Sequence, residues 1–191
     1  MENWLIHLGL SFTLSKLLPY IFFALTGVLL AWFLAKRFTK KWIKGLLFVT
    51  LPCAFFGIYF AIHPIYEGDF ANESYTAETN LPFPSSTTLS VISLPHCPYC
   101  KESTKSMKIL AKRGVKVEYL IISEEKKDSM NYAKLTGSKI TCRLISRKFK
   151  LLALTRGSFP TFVLSNKHKV LKVWNNDQFG VLAKDEVCKF F

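Results

Sequence analysis

The sequence is short of acid. Its 191 residues hold 13 Asp and Glu against 26 Lys and Arg, a formal charge of +13. Two stretches lack charge of either sign, Leu17 to Ala35 (LLPYIFFALTGVLLAWFLA) and Leu46 to Ile62 (LLFVTLPCAFFGIYFAI). No acid lies in the KRFTKKWIKG that joins them, and no Lys or Arg lies between Ile62 and Lys101. There is no Ser-His-Asp order, no pair of carboxylates spaced for acid–base work and no glycine-rich phosphate loop, which sets aside the catalytic classes built on them. No internal repeat is present, so a solenoid is excluded. A second Cys-x-x-Cys is also missing, and with it the usual four-ligand set of structural zinc.

Each charge-free stretch is close to the roughly 20 residues needed to cross a hydrocarbon core about 30 Å thick. Two in tandem read as a membrane hairpin rather than as two buried core helices. Transmembrane helices are expected at about 17–35 and 46–62, inside a membrane region covering 1–63. Pro19 lies near a helix end and Pro52 would only kink its helix. The linker carries Lys36, Arg37, Lys40, Lys41 and Lys44, and short loops rich in Lys and Arg stay cytoplasmic. The N-terminus and everything after His63 are therefore expected on the extracytoplasmic side of a cytoplasmic (inner) membrane. A cleaved signal peptide fits badly, since its positive charges should precede the apolar run. Residues 1–16 are apolar but short, suited to the outer interface, with His7 as an isolated polar group there.

Residues 64–87 are polar, hold three prolines and show no helical period, as an extracytoplasmic tether would. From Leu81 onward 20 Lys or Arg face 8 Asp or Glu, a balance of +12. Such a surface is solvated in most proteins and can also favour anionic headgroups or acidic partners. Nucleic acid is set aside for a domain outside the membrane.

A compact α/β domain is expected over 88–191. TLSVISL reads as a strand and PYCKESTKSMKILAKR as a helix stopped at Arg113-Gly114. VKVEYLII reads as a second buried strand, parallel to the first through a βαβ crossover. Glu124 to Leu154 is helical in composition, broken near Thr136-Gly137. Pro160–Leu164 and Val170–Trp174 flank Asn166-Lys-His-Lys169 as a hairpin, and DQFGVLAKDEVCKFF closes the chain as a helix.

Cys97-Pro98-Tyr99-Cys100 can be a redox pair, half of a metal site with His96, or two buried small residues. Its position, after a strand and opening a helix, favours the first. The free amides and dipole of a helix N-terminus stabilise an anion there, which lowers a thiol pKa from about 8.5 toward roughly 3.5–7.5. Pro98 suits the first helical position, where its missing N–H is not needed. Cys97 would be the exposed nucleophile and Cys100, one turn later, the resolving thiol. His96 either tunes the thiolate or faces solvent. Cys53 is a small apolar residue inside the second membrane stretch. Cys142 and Cys188 are single, and nothing in their spacing demands that they pair.

The strand-PHCPYC-helix pattern, with Gly157-Ser-Phe-Pro160-Thr161 opening a later strand, resembles the thioredoxin family over Thr88 to Phe191. The resemblance implies a thioredoxin-like fold: a central mixed sheet flanked by helices, with a helical insertion at Glu124–Leu154, here preceded by the two-helix hairpin. It implies that Pro160 is cis and packs beside the sulfurs, and that Phe159, Pro160 and Thr161 form the substrate-binding segment. The residues around the sulfurs, His96, Pro98 and Tyr99, would tune them. Two departures stand out. Val91 occupies the position where many members carry a buried carboxylate, and the separation of Cys100 from Pro160 exceeds that of a minimal thioredoxin. The Pro-Tyr dipeptide is also that of dithiol glutaredoxins, but Ser158-Phe159-Pro160 matches their Thr-Val-Pro poorly.

The implied activity is protein-disulfide oxidoreduction, with the direction of electron flow open. Expected partners are protein substrates with thiols or disulfides, a membrane redox partner or larger membrane complex, and the lipid bilayer. No cofactor and no resident metal are expected. The alternative is a non-catalytic thioredoxin-like binding subunit of a larger membrane complex, its Pro160 groove holding a peptide without turnover.

Overall fold

The computed structural model describes residues 2–77, 83–145 and 149–191 and divides into two compact units, Met1–Glu67 and Gly68–Phe191. The His7 side chain and tether residues 78–82 lie outside the described residues.

The first unit holds α1 (Glu2–His7), α2 (Phe12–Ala35) and α3 (Lys41–Ile62). The latter two begin about one turn before the charge-free stretches do. Ser11 starts α2 by accepting a hydrogen bond from the Leu14 amide at 3.2 Å. At 1.5 Å per residue the two helices are about 36 and 33 Å long, and both are long and apolar enough to cross a membrane. Apolar side chains cover their outer faces: Ile21, Leu25, Leu29 and Phe33 on α2, Val49, Phe56 and Ile62 on α3 are exposed. A core helix of a soluble protein would bury that surface; a bilayer would cover it.

Small residues let the two helices meet. Gly27, Ala31 and Ala35 recur every fourth position of α2 and are buried. A Cβ built on Gly27 would sit 2.6 Å from the Pro52 Cα of α3. At the other end Tyr59 packs edge-on to Tyr20 with ring centroids 4.8 Å apart and stacks on Phe23 at 4.6 Å. The Tyr20 hydroxyl donates to the His63 carbonyl, one of those that α3 leaves unpaired at its end.

The second unit runs β1 (Thr88–Ser93), α4 (Pro98–Lys112), β2 (Val117–Ile122), α5 (Lys126–Thr136), β3 (Thr141–Ile145), α6 (Phe149–Thr155), β4 (Thr161–Asn166), β5 (Lys169–Trp174) and α7 (Val181–Cys188). Its sheet has the order β3-β2-β1-β4-β5. Strands β1, β2 and β3 are parallel, and β4 is antiparallel to β1 and β5. This is the thioredoxin-like arrangement expected of the sequence, with one extra strand on the β2 side.

That extra strand lies inside the segment read as mainly helical and was not expected of it. Helices α5 and α6 do form, but Thr141-Cys-Arg-Leu-Ile145 between them is β3. At the sheet edge it is half exposed and brackets Arg143 between Cys142 and Leu144, so neither a strong alternation nor an apolar run marks it.

The two sheet faces alternate along every strand. One face gathers Ile92, Leu120, Val163 and Val173 with Phe83 and Leu154. The other presents Val91, Tyr119, Phe162 and Trp174, paired across the ladders, to α4 and α7. Phe179, just before α7, stacks on Phe162 at 4.0 Å and meets Trp174 edge-on at 5.4 Å. Helix α4 buries Cys100, Thr104, Met107 and Leu110, one face at helical spacing, and leaves Lys101, Lys105, Lys108 and Lys112 in solvent. Gly114, at φ 94°, ends it in the left-handed conformation that glycine adopts without strain.

Part of the span read as a tether is docked on this unit. Tyr75 exchanges backbone hydrogen bonds with Val173 of β5, at 2.9 and 2.8 Å. The Asn72 carbonyl oxygen of the side chain accepts from Trp174 Nε1 at 2.9 Å, and its amide donates to Glu186 at 2.7 Å. The compact unit thus starts at Gly68, well before Thr88. Polar composition misled here because these side chains bond the sheet and α7 rather than water.

Replacing Gly27 should separate α2 from α3, because Pro52 opposes it with backbone atoms that cannot rotate away. Gly27→Val is expected to weaken the hairpin by about 1–3 kcal/mol, read by denaturant titration of the chain in micelles. Gly57→Ala, which faces open space, should leave it unchanged.

Candidate functional site

Strand β1 carries the chain to the end of the sheet, and the turn Leu94–His96 delivers it to α4. Cys97 is the N-cap, in extended conformation at φ −74° and ψ 118°, and Pro98 is the first helical residue. The Cys100 amide donates to Cys97 Sγ at 3.2 Å, one of the four N–H groups that a helix start leaves free. The two sulfurs are joined in a disulfide with Cα atoms 5.2 Å apart. Cys97 is half-buried, whereas Cys100 has no exposed surface. His96 and Tyr99 flank the pair in solvent, as does Pro98.

Across from the sulfurs runs the loop between α6 and β4. The Phe159–Pro160 peptide bond is cis, and Cys97 Sγ lies 3.9 Å from the Phe159 carbonyl oxygen. Phe159 is half-buried against the core under the sheet, Pro160 is buried, and Thr161 opens β4. The Thr161 hydroxyl donates to the Ser158 carbonyl at 2.6 Å. Cys97, Cys100, Phe159 and Pro160 are thus brought together from segments about sixty residues apart in sequence.

The loop is fastened at its start as well. Arg156 takes φ 47°, a left-handed backbone that costs a non-glycine residue roughly 1–2 kcal/mol. Its guanidinium lies 3.9 Å over the Tyr75 ring, a contact worth about 0.5–1 kcal/mol at an exposed position. The Tyr75 hydroxyl donates to the Leu154 carbonyl at the end of α6. Sequence reading passed over Tyr75 and Arg156 because nothing local to either points to the other, 81 positions away.

Beneath the thiols lies a layer of hydroxyls. Ser103 Oγ donates to the Cys100 carbonyl at 2.8 Å and pairs with the Tyr119 hydroxyl at 2.9 Å. Tyr132 Oη donates to the Leu94 carbonyl at 2.9 Å, in the turn that leads to Cys97. Val91, the position expected to lack an acid, is fully buried between Tyr119 and Phe162. The buried carboxylate of β2, Glu118, sits one residue out of phase on the opposite face of the sheet. It is held there by Ser90 Oγ and Arg143, each at 2.7 Å. Burial pushes the Tyr119 hydroxyl far above the ordinary tyrosine value and the Tyr132 hydroxyl up to about 12. The layer is therefore neutral at physiological pH. The sequence signal for it was faint: two tyrosines and a serine with no shared spacing.

Cys142 and Cys188 are free thiols on separate elements, β3 and α7. Burial raises the pKa of each above the ordinary thiol value, which leaves them poor nucleophiles.

No protein-family model and no curated protein matches the sequence. Among solved structures the chain is similar to StoA from Bacillus subtilis, at 14% identity and a TM-score of 0.45, over 62% of this chain and 98% of that one. It is similar also to a putative protein disulfide isomerase from Bacteroides thetaiotaomicron, at 12% identity and a TM-score of 0.45, covering 66% and 91%. A third is a putative thiol:disulfide interchange protein DsbE from Chlorobium tepidum, at 15% and 0.42, covering 67% and 100%. What the two cysteines of this chain do follows from their own geometry.

The tyrosine layer predicts an alkaline limit. An acid whose folded pKa exceeds its unfolded value of 10.0 stabilises the fold fully below pH 10 and loses that contribution as pH rises toward the folded value. The melting temperature should fall between pH 10 and about 12. Tyr132→Phe should make that fall shallower; an equally steep fall in the variant would count against the layer.

Proposed function

We propose that the chain is a membrane-anchored thiol–disulfide oxidoreductase whose Cys97/Cys100 pair exchanges disulfides with protein thiols on the extracytoplasmic side. The observation that carries this reading is the half-buried Cys97 sulfur at the start of α4, disulfide-linked to a fully buried Cys100 and facing the Phe159 carbonyl.

In the reducing direction the free Cys97 thiolate attacks one sulfur of a substrate disulfide. A mixed disulfide forms and the other substrate sulfur leaves as a thiolate, which takes a proton. Cys100 then loses its proton and attacks Cys97 Sγ, releasing the second substrate thiol and closing the Cys97–Cys100 bond. Two electrons and two protons pass to the substrate; disulfide donation runs the same steps backward. By the expected role of the Pro160 segment, an extended substrate peptide lies against Phe159, Pro160 and Thr161, with His96, Pro98 and Tyr99 setting the electrostatics beside Cys97. The Cys100 amide and the α4 dipole favour the Cys97 thiolate and so weight the pair toward its reduced form, as in an oxidant. Val91 supports the same direction, because it leaves no carboxylate beside Cys100 to speed its deprotonation.

The basic linker between α2 and α3 supports a hairpin that turns in the cytoplasm, with the second unit outside. Anchoring would raise the effective concentration of membrane-bound or newly exported substrates and of a membrane redox partner.

Two experiments test this. Cys97→Ser should abolish exchange, and Cys100→Ser should accumulate mixed disulfides resolvable on non-reducing gels. A Cys100→Ser chain that captures no partner would favour a binding subunit that holds peptides without turnover. With Cys142 and Cys188 replaced by serine and the pair reduced, a membrane-impermeant maleimide should label Cys97 on intact cells. Labelling only after lysis would reverse the topology.

A further inference from the structure

Residue Tyr75 belongs to the strap that follows the membrane helices, yet its side chain ends at the loop facing the thiols. Four contacts converge on it, one of them a 3.4 Å bond from its hydroxyl to Asn175 Oδ1. Its backbone is fixed to Val173 of β5 by the pair of hydrogen bonds at 2.9 and 2.8 Å. Its hydroxyl donates to the carbonyl of Leu154, the residue two places before Arg156. Its ring lies under the Arg156 guanidinium, 3.9 Å away. From Arg156 the chain passes through Gly157, also left-handed at φ 77°, and then to Ser158, Phe159 and Pro160. That turn holds few bonds of its own. The Gly157 amide donates to Thr155 Oγ1 at 3.3 Å and the Ser158 amide to the Thr155 carbonyl at 2.8 Å.

Two successive left-handed residues form a turn that needs holding from outside. The strap supplies it from both sides: a hydrogen bond on the α6 terminus and an aromatic surface under the arginine. Tyr75 and Phe159 also pack against the same core cluster under the sheet.

We propose that Tyr75, with Arg156, is a positioning residue for the Phe159–Pro160 segment, so that the strap following the apolar helices in sequence is part of the substrate site. This rests on the redox reading above. Tyr75 touches neither sulfur; it acts by fixing where the Phe159 carbonyl stands relative to Cys97. A substrate strand laid along Phe159 would then feel the strap through the loop.

The test uses the full chain in detergent micelles, with Tyr75→Phe removing the hydroxyl while keeping the ring and Arg156→Lys keeping a cation above it. Hydrogen exchange of the Gly157 and Ser158 amides should quicken about fivefold in Tyr75→Phe, the weight of one hydrogen bond, with amides of β1 and β2 unchanged. The KM for a disulfide-linked peptide, with reduced glutathione as electron donor, should rise about three- to tenfold while kcat stays within about twofold. The reduction potential of Cys97–Cys100 should not move, and Arg156→Lys should fall between wild type and Tyr75→Phe. Unchanged loop exchange, or faster exchange spread evenly over the sheet, would overturn the proposal. So would an unchanged KM in a wild type that turns over. If the wild-type chain exchanges no disulfide, the redox reading fails by itself, and the Gly157 and Ser158 amides still decide whether Tyr75 positions the loop.

Discussion

The Cys100 amide points at the Cys97 sulfur from 3.2 Å because Pro98 opens α4 with a backbone already helical and without an N–H of its own. That contact depends on where β1 stops. Strand β1 is the middle of five and pairs with β2 on one side and β4 on the other, so its end is held from both sides. The sulfur stands at that end, and β4, the neighbour that runs the other way, starts there with Pro160 and Thr161. One strand thereby sets both the thiol and the loop it faces. The hydroxyl layer of Ser103, Tyr119 and Tyr132 then holds the carbonyls on either side of the thiol pair, at Cys100 and Leu94.

Parts of this were legible in the sequence and parts were not, for physical reasons. β1 and β2 are buried along their whole length and read as strands rich in apolar and β-branched residues, with Ser90, Ser93 and Glu118 as the polar members. Helix α4 has its core face at regular spacing and a glycine stop. The loop before β4 showed itself through Pro160 and Gly157, residues chosen for backbone geometry. What stayed hidden has only one partner or a distant one. β3 lies at an edge, pairs with no strand but β2 among the described residues, and keeps a charged residue at its centre. Residues 71–77 look like linker because Asn72 and Tyr75 are polar, and polarity says nothing about whether water or a strand will satisfy them. The hairpin of two long apolar helices was plain in outline from the length of its charge-free stretches. Its seam was not, because Gly27 and Pro52 meet only when two helices are laid side by side.

The two units use opposite rules for the same residue types. In α2 and α3 large apolar side chains face outward and small ones line the contact, with tyrosines bonded at the end of the hairpin. In the second unit large apolar side chains are inside and lysines cover the helix that carries the thiols. Lys172 and Glu186 add a partly exposed ion pair between β5 and α7. Burial pushes the Glu186 carboxyl up, but bonds from Lys172 and Asn72 and the nearby positive charges outweigh it and leave the carboxyl below its ordinary value.

The sheet has two rims, and they are finished differently. The strap closes the β5 rim at Tyr75, while the β3 rim carries no further strand among the described residues and is half exposed. A bare rim is a template for adding a strand from a neighbouring molecule. Arg143, paired with Glu118 across the face of the sheet, sets a bulky, half-exposed side chain in the middle of that short strand. A short edge strand interrupted by such a residue is a poor template for pairing rim to rim.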